Sequence, residues 1–350
     1  MNYSKLEKRF VFDFFNLVNK AKNIVIAGHK SFDDDSIASV LAVYNLLKNK
    51  YPQKTVKIIQ TGEKANKYKI FKHFNKINFV PDITERLKNI DLLIVLDGNE
   101  YRRFTHKVKK LKAFSGKTIC IDHHDSPPEN FDLSLIIPEV SSCAEIIYLL
   151  FYKNSKVNKL LSEILMLGIL GDTGNFAYLQ PSQTNTLTIV KRLMEVGKIG
   201  IQEFQSRYQS ISKNTLTIVQ ELLKNTSFYK IKGWPNFQVT FLTREFAQKN
   251  DDDEISEASH LYMTHYLGLV KGHKWGFVIT PKSNGAYRIS LRSLPKSVNV
   301  SNIVGRMGIG GGHDHAAGGT FPAKNKKAKS ASNCFNDMLD WFKKHKPVIS

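Results

Sequence analysis

The chain has 350 residues, 42% of them hydrophobic and 23% charged, which points to an ordinary soluble protein of two domains rather than one core. No apolar run reaches the roughly 18 residues of a membrane span. The formal charge of +20 invites a polyanion partner, yet only 10 of the 51 basic residues are Arg, and Lys is a solvated point charge rather than a bidentate phosphate fork.

The N-terminus mixes basic, acidic and aromatic residues in a helical pattern, without the basic start, apolar middle and small-residue cleavage site of a secretion signal; a cytoplasmic location is expected. From residue 1 to about 180, short apolar runs alternate with helical patterns, the mark of a parallel sheet with crossover helices. Strands are predicted at 24–27, 55–60, 92–96, 118–121 and 133–137, and helices at 36–48, 143–152 and 159–170. The stretch 184–225 reads as a helical connector, in which Asn-Thr-Leu-Thr-Ile-Val occurs at both 185–190 and 214–219. Alternating segments at 237–242, 276–279 and 286–291, a Gly-rich stretch at 305–319 and a helix at 333–343 make a smaller α+β lobe. The expected domains are therefore 1–183, a connector 184–225, and 226–350. The Lys-rich run 324–329 reads as a solvated loop. Cys120, Cys143 and Cys334 are odd in number and far apart, which argues against a disulfide framework or a zinc site and leaves them as buried apolar residues.

Four stretches carry chemistry. The strand ending at Ala27 runs through Gly28 and His29 into Asp33, Asp34 and Asp35 and then a helical pattern, so its polar residues lie at a strand's carboxyl end, where open α/β sheets hold ligands. His29, Asp33 and Asp35 suit a divalent metal of the Mn or Mg type; the alternative is an acidic helix N-terminus favoured by the helix dipole. Apolar elements also run into Asp97, into Asp122-His123-His124, and into Gly171-Asp172. Five carboxylates and three imidazoles converging on one sheet edge are costly to bury without metal, and a two-metal centre resolves the conflict. Near the other end, Gly310, Gly311 and Gly312 can form an anion-binding nest beside His313 and Arg292, or a flexible turn. Arg103, six residues after Asp97, is a lesser phosphate candidate. Arg102 is expected to face solvent, and His73, His106, His260, His265, His273 and His345 fit no motif.

In their order and spacing these motifs resemble the DHH phosphoesterase family: Gly-His-x-x-x-Asp-x-Asp at 28–35, Val-Leu-Asp at 95–97, Asp-His-His at 122–124, Gly-Asp-Thr-Gly at 171–174, Arg-Ser at 292–293 and Gly-Gly-Gly-His-x-x-Ala-Ala-Gly at 310–318. The second lobe is similar to the DHH-associated domain of the nanoRNase branch. The resemblance implies that His29 and Asp33 hold one metal, that Asp35, His123 and Asp172 hold a second, and that Asp97 bridges them. It makes Asp122 a buried supporting acid and places His124 near the scissile phosphate; Arg103, Arg292, Ser293, Gly310, Gly311, Gly312 and His313 are the candidates for binding substrate. The implied cofactors are two divalent ions, Mn²⁺ first, with Mg²⁺ or Co²⁺ as alternatives. The implied partner is a short RNA or nucleotide and no membrane, with a homodimer left open. The implied reaction is hydrolysis of short oligoribonucleotides to nucleoside monophosphates, or removal of the 3′-phosphate of 3′-phosphoadenosine 5′-phosphate. A cyclic-dinucleotide phosphodiesterase, a single-strand exonuclease and a non-catalytic nucleic-acid-binding protein are the alternatives. The sequence departs from the family pattern at Phe32 (commonly Pro) and Asp34 (commonly Gly), which leaves open which acids of the 33–35 run ligate, and at Ile309, where many relatives extend the glycine run.

Overall fold

The computed structural model describes residues 3–64, 66–153, 157–208, 210–321 and 330–350; the Lys-rich run 324–329 lies outside them. The chain separates into two compact units, Met1–Ser210 and Ile211–Ser350. The stretch 184–225 is helical and shared between them: α7 (Asn185–Gly197) and α8 (Ile201–Tyr208) belong to the first unit and α9 (Lys213–Lys224) to the second.

In chain order the first unit also contains α1 (Tyr3–Lys20), β1 (Asn23–Ala27), α2 (Asp34–Lys50), β2 (Thr55–Thr61), β3 (Ile77–Val80), β4 (Leu92–Leu96), α3 (Tyr101–Phe104), α4 (Val108–Lys112), β5 (Lys117–Asp122), β6 (Leu133–Ile136), α5 (Cys143–Ile147) and α6 (Lys159–Asp172). Its six strands form one parallel sheet in the order β3-β2-β1-β4-β5-β6. Because side chains alternate along a strand, each apolar run supplies two cores. Ile24, Ile26, Ile94 and Leu96 face α2, α5 and α6 through Ile37, Leu41, Ile146 and Leu165. Val25, Leu93, Val95 and Cys120 face the opposite way, against Ile83, Phe104 and Leu111. The helix expected at 143–152 is α-helical only to Ile147 and continues as a π-helical turn, Tyr148–Tyr152. β3 escapes sequence reading because it is a four-residue edge strand with Asn78 in its middle.

The register sets the site. Ala27 pairs with Val95 and Leu96 with Ile121, so β1, β4 and β5 end level with one another. The strand order also reverses direction between β1 and β4, the switch point where a crevice opens beyond the carboxyl ends of such sheets.

The second unit adds β7 (Ser227–Tyr229), β8 (Phe237–Phe241), α10 (Arg244–Ala247), α11 (Asp252–His265), β9 (Trp275–Pro281), β10 (Tyr287–Ser293), α12 (Val300–Arg306), β11 (Gly310–His313), β12 (Ala316–Phe321) and α13 (Ala331–Lys344). They form a mixed sheet in the order β11-β12-β10-β9-β8-β7, with only β8 and β9 parallel. One face packs on α12 and α13 through Val304, Met338 and Phe342, the other on α9 and α11 through Ile218, Leu222 and Tyr262. The Gly-rich stretch is neither a nest nor a flexible turn. Gly310 to Gly312 run as an edge strand paired with β12. A Cβ on Gly310 would lie 2.0 Å from the Gly318 carbonyl oxygen, so glycine is required there by close backbone approach.

All three cysteines are free and buried, as expected. Among the described residues, no helix is long and apolar enough to cross a membrane.

Candidate metal centre

Three strand ends and two helix ends meet at the edge of the first sheet. His29 follows β1, and Asp33 caps α2 by accepting the Ser36 backbone N–H at 3.0 Å. Asp35 sits on the first turn of α2, Asp122 ends β5, and Asp172 ends α6. Asp97 follows β4 in the left-handed region, at φ 60°, a conformation that non-glycine residues seldom adopt outside constrained sites. Its backbone N–H is tied to the Ile121 carbonyl at 3.0 Å.

The structure gathers the acids and imidazoles into overlapping groups: His29, Asp33 and Asp97; Asp35, His123 and Asp172; and Asp97, Asp122, His123 and His124, with ligand atoms inside each group within 4.8 Å of one another. Asp97 reaches in two directions. Its Oδ2 lies 3.2 Å from His29 Nε2 and its Oδ1 3.7 Å from His123 Nε2. His29 Nε2 is also 3.5 Å from Asp33 Oδ2, and His123 Nε2 is 3.0 Å from Asp172 Oδ2 and 3.9 Å from Asp35 Oδ2. His124 Nδ1 meets Asp122 Oδ1 at 2.7 Å, which fixes the ring's orientation.

Burial and charge oppose each other here. Burial draws the His29 and His123 imidazoles down, but the carboxylates of Asp33 and Asp97 around the first, and of Asp172 and Asp35 around the second, outweigh it and push both up to about 10. Burial lifts Asp172 to about 6 and holds Asp35 well above the carboxylate range, helped by the charges of Asp172 and Asp97. Asp33 is exposed at its outer side, and the His29 charge outweighs the partial desolvation of its carboxyl and depresses it. This is a concentration of negative charge in need of cations. His29 Nε2, Asp97 Oδ2 and Asp122 Oδ2 are buried without a hydrogen-bond partner, although such atoms are normally satisfied. Carboxylate and imidazole donors with orphaned atoms aimed at one another fit a divalent cation.

Neighbouring residues hold the ligands in place. Asp35 is fully buried and accepts the backbone N–H groups of Cys143 and Ala144, at the start of α5, at 2.6 and 2.9 Å. A side chain at position 168 would collide with it, a Cβ there lying 2.6 Å from Asp35 Oδ1. Gln60 clamps the backbone before and at His29, accepting from Gly28 N–H at 3.1 Å and donating to the His29 carbonyl at 2.5 Å. Asn99 pins the loop after His124, donating to the Ser126 carbonyl at 2.6 Å and accepting from Ser126 Oγ at 2.9 Å. Sequence reasoning missed both; the available signal for Gln60 was an uncharged polar residue at the buried end of an apolar strand.

Asp34, whose role the sequence left open, stands outside all three groups. Arg103 lies against Gly98, its Cδ and Nε 3.3 Å from where a Cβ would project, and its charge reaches Asp122. Arg102 pairs with Glu100 and is exposed, as expected. In the second unit, Arg292 pairs with Ala316 across β10 and β12, and Ser293 is buried with its Oγ 2.9 Å from His315 Nδ1. Gly310, Gly311, Gly312 and His313 form β11 on the same sheet. His315 was not singled out from the sequence; its place two residues after His313 was the only hint.

Residues 23–169 match the DHH family, N-terminal domain, and residues 240–340 match the DHHA1 domain. The chain is 25% identical to the probable bifunctional oligoribonuclease and PAP phosphatase NrnA of Streptococcus mutans, over 84% of this chain and 88% of that protein. It superimposes with a TM-score of 0.80 and 22% identity on an exopolyphosphatase-related protein from Bacteroides fragilis, covering 96% of this chain and 97% of the other. RecJ of Thermus thermophilus in complex with Mn²⁺ shares the fold at a TM-score of 0.52 and 12% identity, covering 98% of this chain and 55% of that one. With a DHH domain that carries all of the clustered acids and imidazoles but Asp172, which lies just beyond it, and a DHHA1 domain further on, the chain belongs to the DHH family of metal-dependent phosphoesterases.

Proposed function

We propose that this enzyme hydrolyses very short oligoribonucleotides to nucleoside monophosphates and removes the 3′-phosphate of 3′-phosphoadenosine 5′-phosphate, using two Mn²⁺ ions. The observation that carries the reading is Asp97, whose two oxygens face His29 and His123 from opposite ends of one carboxylate. His29 and Asp33 would hold one ion; Asp35, His123 and Asp172 would hold the other; Asp97 would serve both. When bound, such ions supply Lewis acidity at the phosphoryl oxygens and acidify a water molecule.

The protein's own residues do the rest. Asp122 holds the His124 ring through Nδ1, so that this imidazole is presented to the phosphate and can move a proton at the leaving oxygen. Arg103, whose charge reaches Asp122, neutralises a phosphoryl oxygen with its planar fork. Arg292, Ser293, Gly310, Gly311, Gly312 and His313 are the second unit's candidates for binding substrate. All the proposed metal ligands come from one chain, so a homodimer is not required for the chemistry. The likeness to an oligoribonuclease and PAP phosphatase over most of both chains supports this choice of substrates.

The test is a substrate panel with Mn²⁺: an RNA dinucleotide, 3′-phosphoadenosine 5′-phosphate, a cyclic dinucleotide and a long single strand. Rapid turnover of the first two is expected. Preference for the cyclic dinucleotide, or turnover of the long strand alone, overturns the reading, and binding without turnover of any substrate points to a non-catalytic nucleic-acid protein.

A further inference from the structure

Asp33, Asp34 and Asp35 are consecutive, and at about 100° of rotation per helical residue they cannot all face one way. Two join the cluster; the third turns outward. Asp34 Oδ1 accepts hydrogen bonds from Lys67 Nζ at 2.8 Å, from the Tyr68 hydroxyl at 2.8 Å, and from the Tyr208 hydroxyl. These donors come from two distant places, the 3-10 turn Asn66–Ile70 and the last residue of α8. Tyr68 and Tyr208 are buried, and burial, reinforced by the Asp34 charge, holds both phenols well above their ordinary range, so they remain donors.

The rings lock the arrangement. Tyr68 and Tyr208 have centroids 6.1 Å apart, Phe32 packs on Tyr68 at 6.3 Å, and Phe71 meets Tyr208 edge-on at 5.6 Å. The Lys67 ammonium lies over the Tyr68 and Tyr208 rings at 4.7 and 5.5 Å. On its other side Asp34 abuts Gly171, where a Cβ would be 2.5 Å from the Asp34 Cβ, directly before Asp172. One oxygen with three donors has no lone pair to spare for a cation, and an exposed ion pair alone would contribute little.

We propose that Asp34 is a positioning residue: its clasp by Lys67, Tyr68 and Tyr208 keeps a third carboxylate out of the metal centre and fixes the turn that presents Asp33 and Asp35. The inference rests on the two-metal reading. Outer residues that orient ligands typically govern metal affinity by about 10–100-fold.

The experiment measures Mn²⁺ binding to chelator-stripped full-length protein by electron paramagnetic resonance of the free ion, with the RNA dinucleotide assay alongside. Tyr68→Phe and Tyr208→Phe keep the rings and remove only the hydroxyls. We expect the double variant to bind Mn²⁺ about tenfold more weakly, with its dinucleotide turnover restored by excess Mn²⁺. Asp34→Asn should weaken binding similarly and add little in the double-variant background, because the three groups act as one unit. Mn²⁺ affinity within twofold of wild type in the double tyrosine variant overturns the proposal, as does tighter binding by Asp34→Asn. If Asp34→Asn fails to fold, the tyrosine variants decide. Wild-type protein that takes up no Mn²⁺ defeats the metal reading and the clasp together; wild-type uptake and turnover with unchanged variants defeats the clasp alone.

Discussion

Asp97 is the side chain on which the proposed chemistry depends most. Asn tolerates the left-handed backbone that Asp97 adopts, so Asp97→Asn should leave the turn intact while removing the charge that the two halves of the cluster share. The substitution also relieves the repulsion that helps hold Asp35 and Asp172 above their ordinary ranges. Because Asp97 also supports the buried His29 and His123 imidazoles, its loss has opposing effects on the metal-free fold, while turnover of every substrate should fall by more than about a hundredfold. Turnover above that level with metal content intact shows that Asp97 is not the bridge. The acids and imidazoles of the cluster were legible in the sequence because each follows an apolar element. The orientation of Asp34 was not, since it depends on helical phase and on a tyrosine 174 positions away in the chain.

Between elements, the connection from α3 to α4 is anchored by Asp82. This buried carboxylate caps the turn Ile83–Arg86 by accepting from Thr84 N–H at 3.0 Å, and it reaches across to Thr105 Oγ1 at 2.7 Å and His106 N–H at 2.8 Å. Burial raises the carboxyl, but the hydrogen bonds from Thr84, Thr105 and His106 outweigh it and lower it to about 2. A depressed carboxyl stabilises the fold above its unfolded value of about 3.9 and loses that contribution as the pH falls through about 2. Asp82→Asn should cost roughly 2 kcal/mol at pH 7, with the gap to wild type in urea denaturation narrowing as the pH falls from 4 towards 2. A gap that stays constant with pH assigns the loss to shape rather than charge. The parallel strands other than β3 could be read from their apolar runs. The β11–β12 hairpin could not, because its glycines serve close pairing and look on paper like a loop. Phe32 and Asp34, the two departures from the family's first motif, meet at one residue, Tyr68; tertiary contacts hold the turn where a rigid Pro commonly would.

At the scale of the whole molecule, the charge of +20 is carried mainly by Lys and favours any polyanion through counterion release, while the proposed chemistry needs a single phosphate at one cluster. Long strands should bind by their length and be cleaved no better for it. RNA of two to four nucleotides is expected to show the higher kcat/KM against a strand of roughly twenty, with the long strand's binding falling much more steeply with salt. The reverse order, persisting at physiological ionic strength, indicates a polymer track. The second unit offers an unplanned means of watching such experiments. All three tryptophans of the chain lie in it, with Trp234 5.6 Å from Trp275 and 6.3 Å from Trp341. Indole emission excited at the red edge therefore reports on the second unit alone, so its unfolding can be followed apart from that of the first without an engineered label.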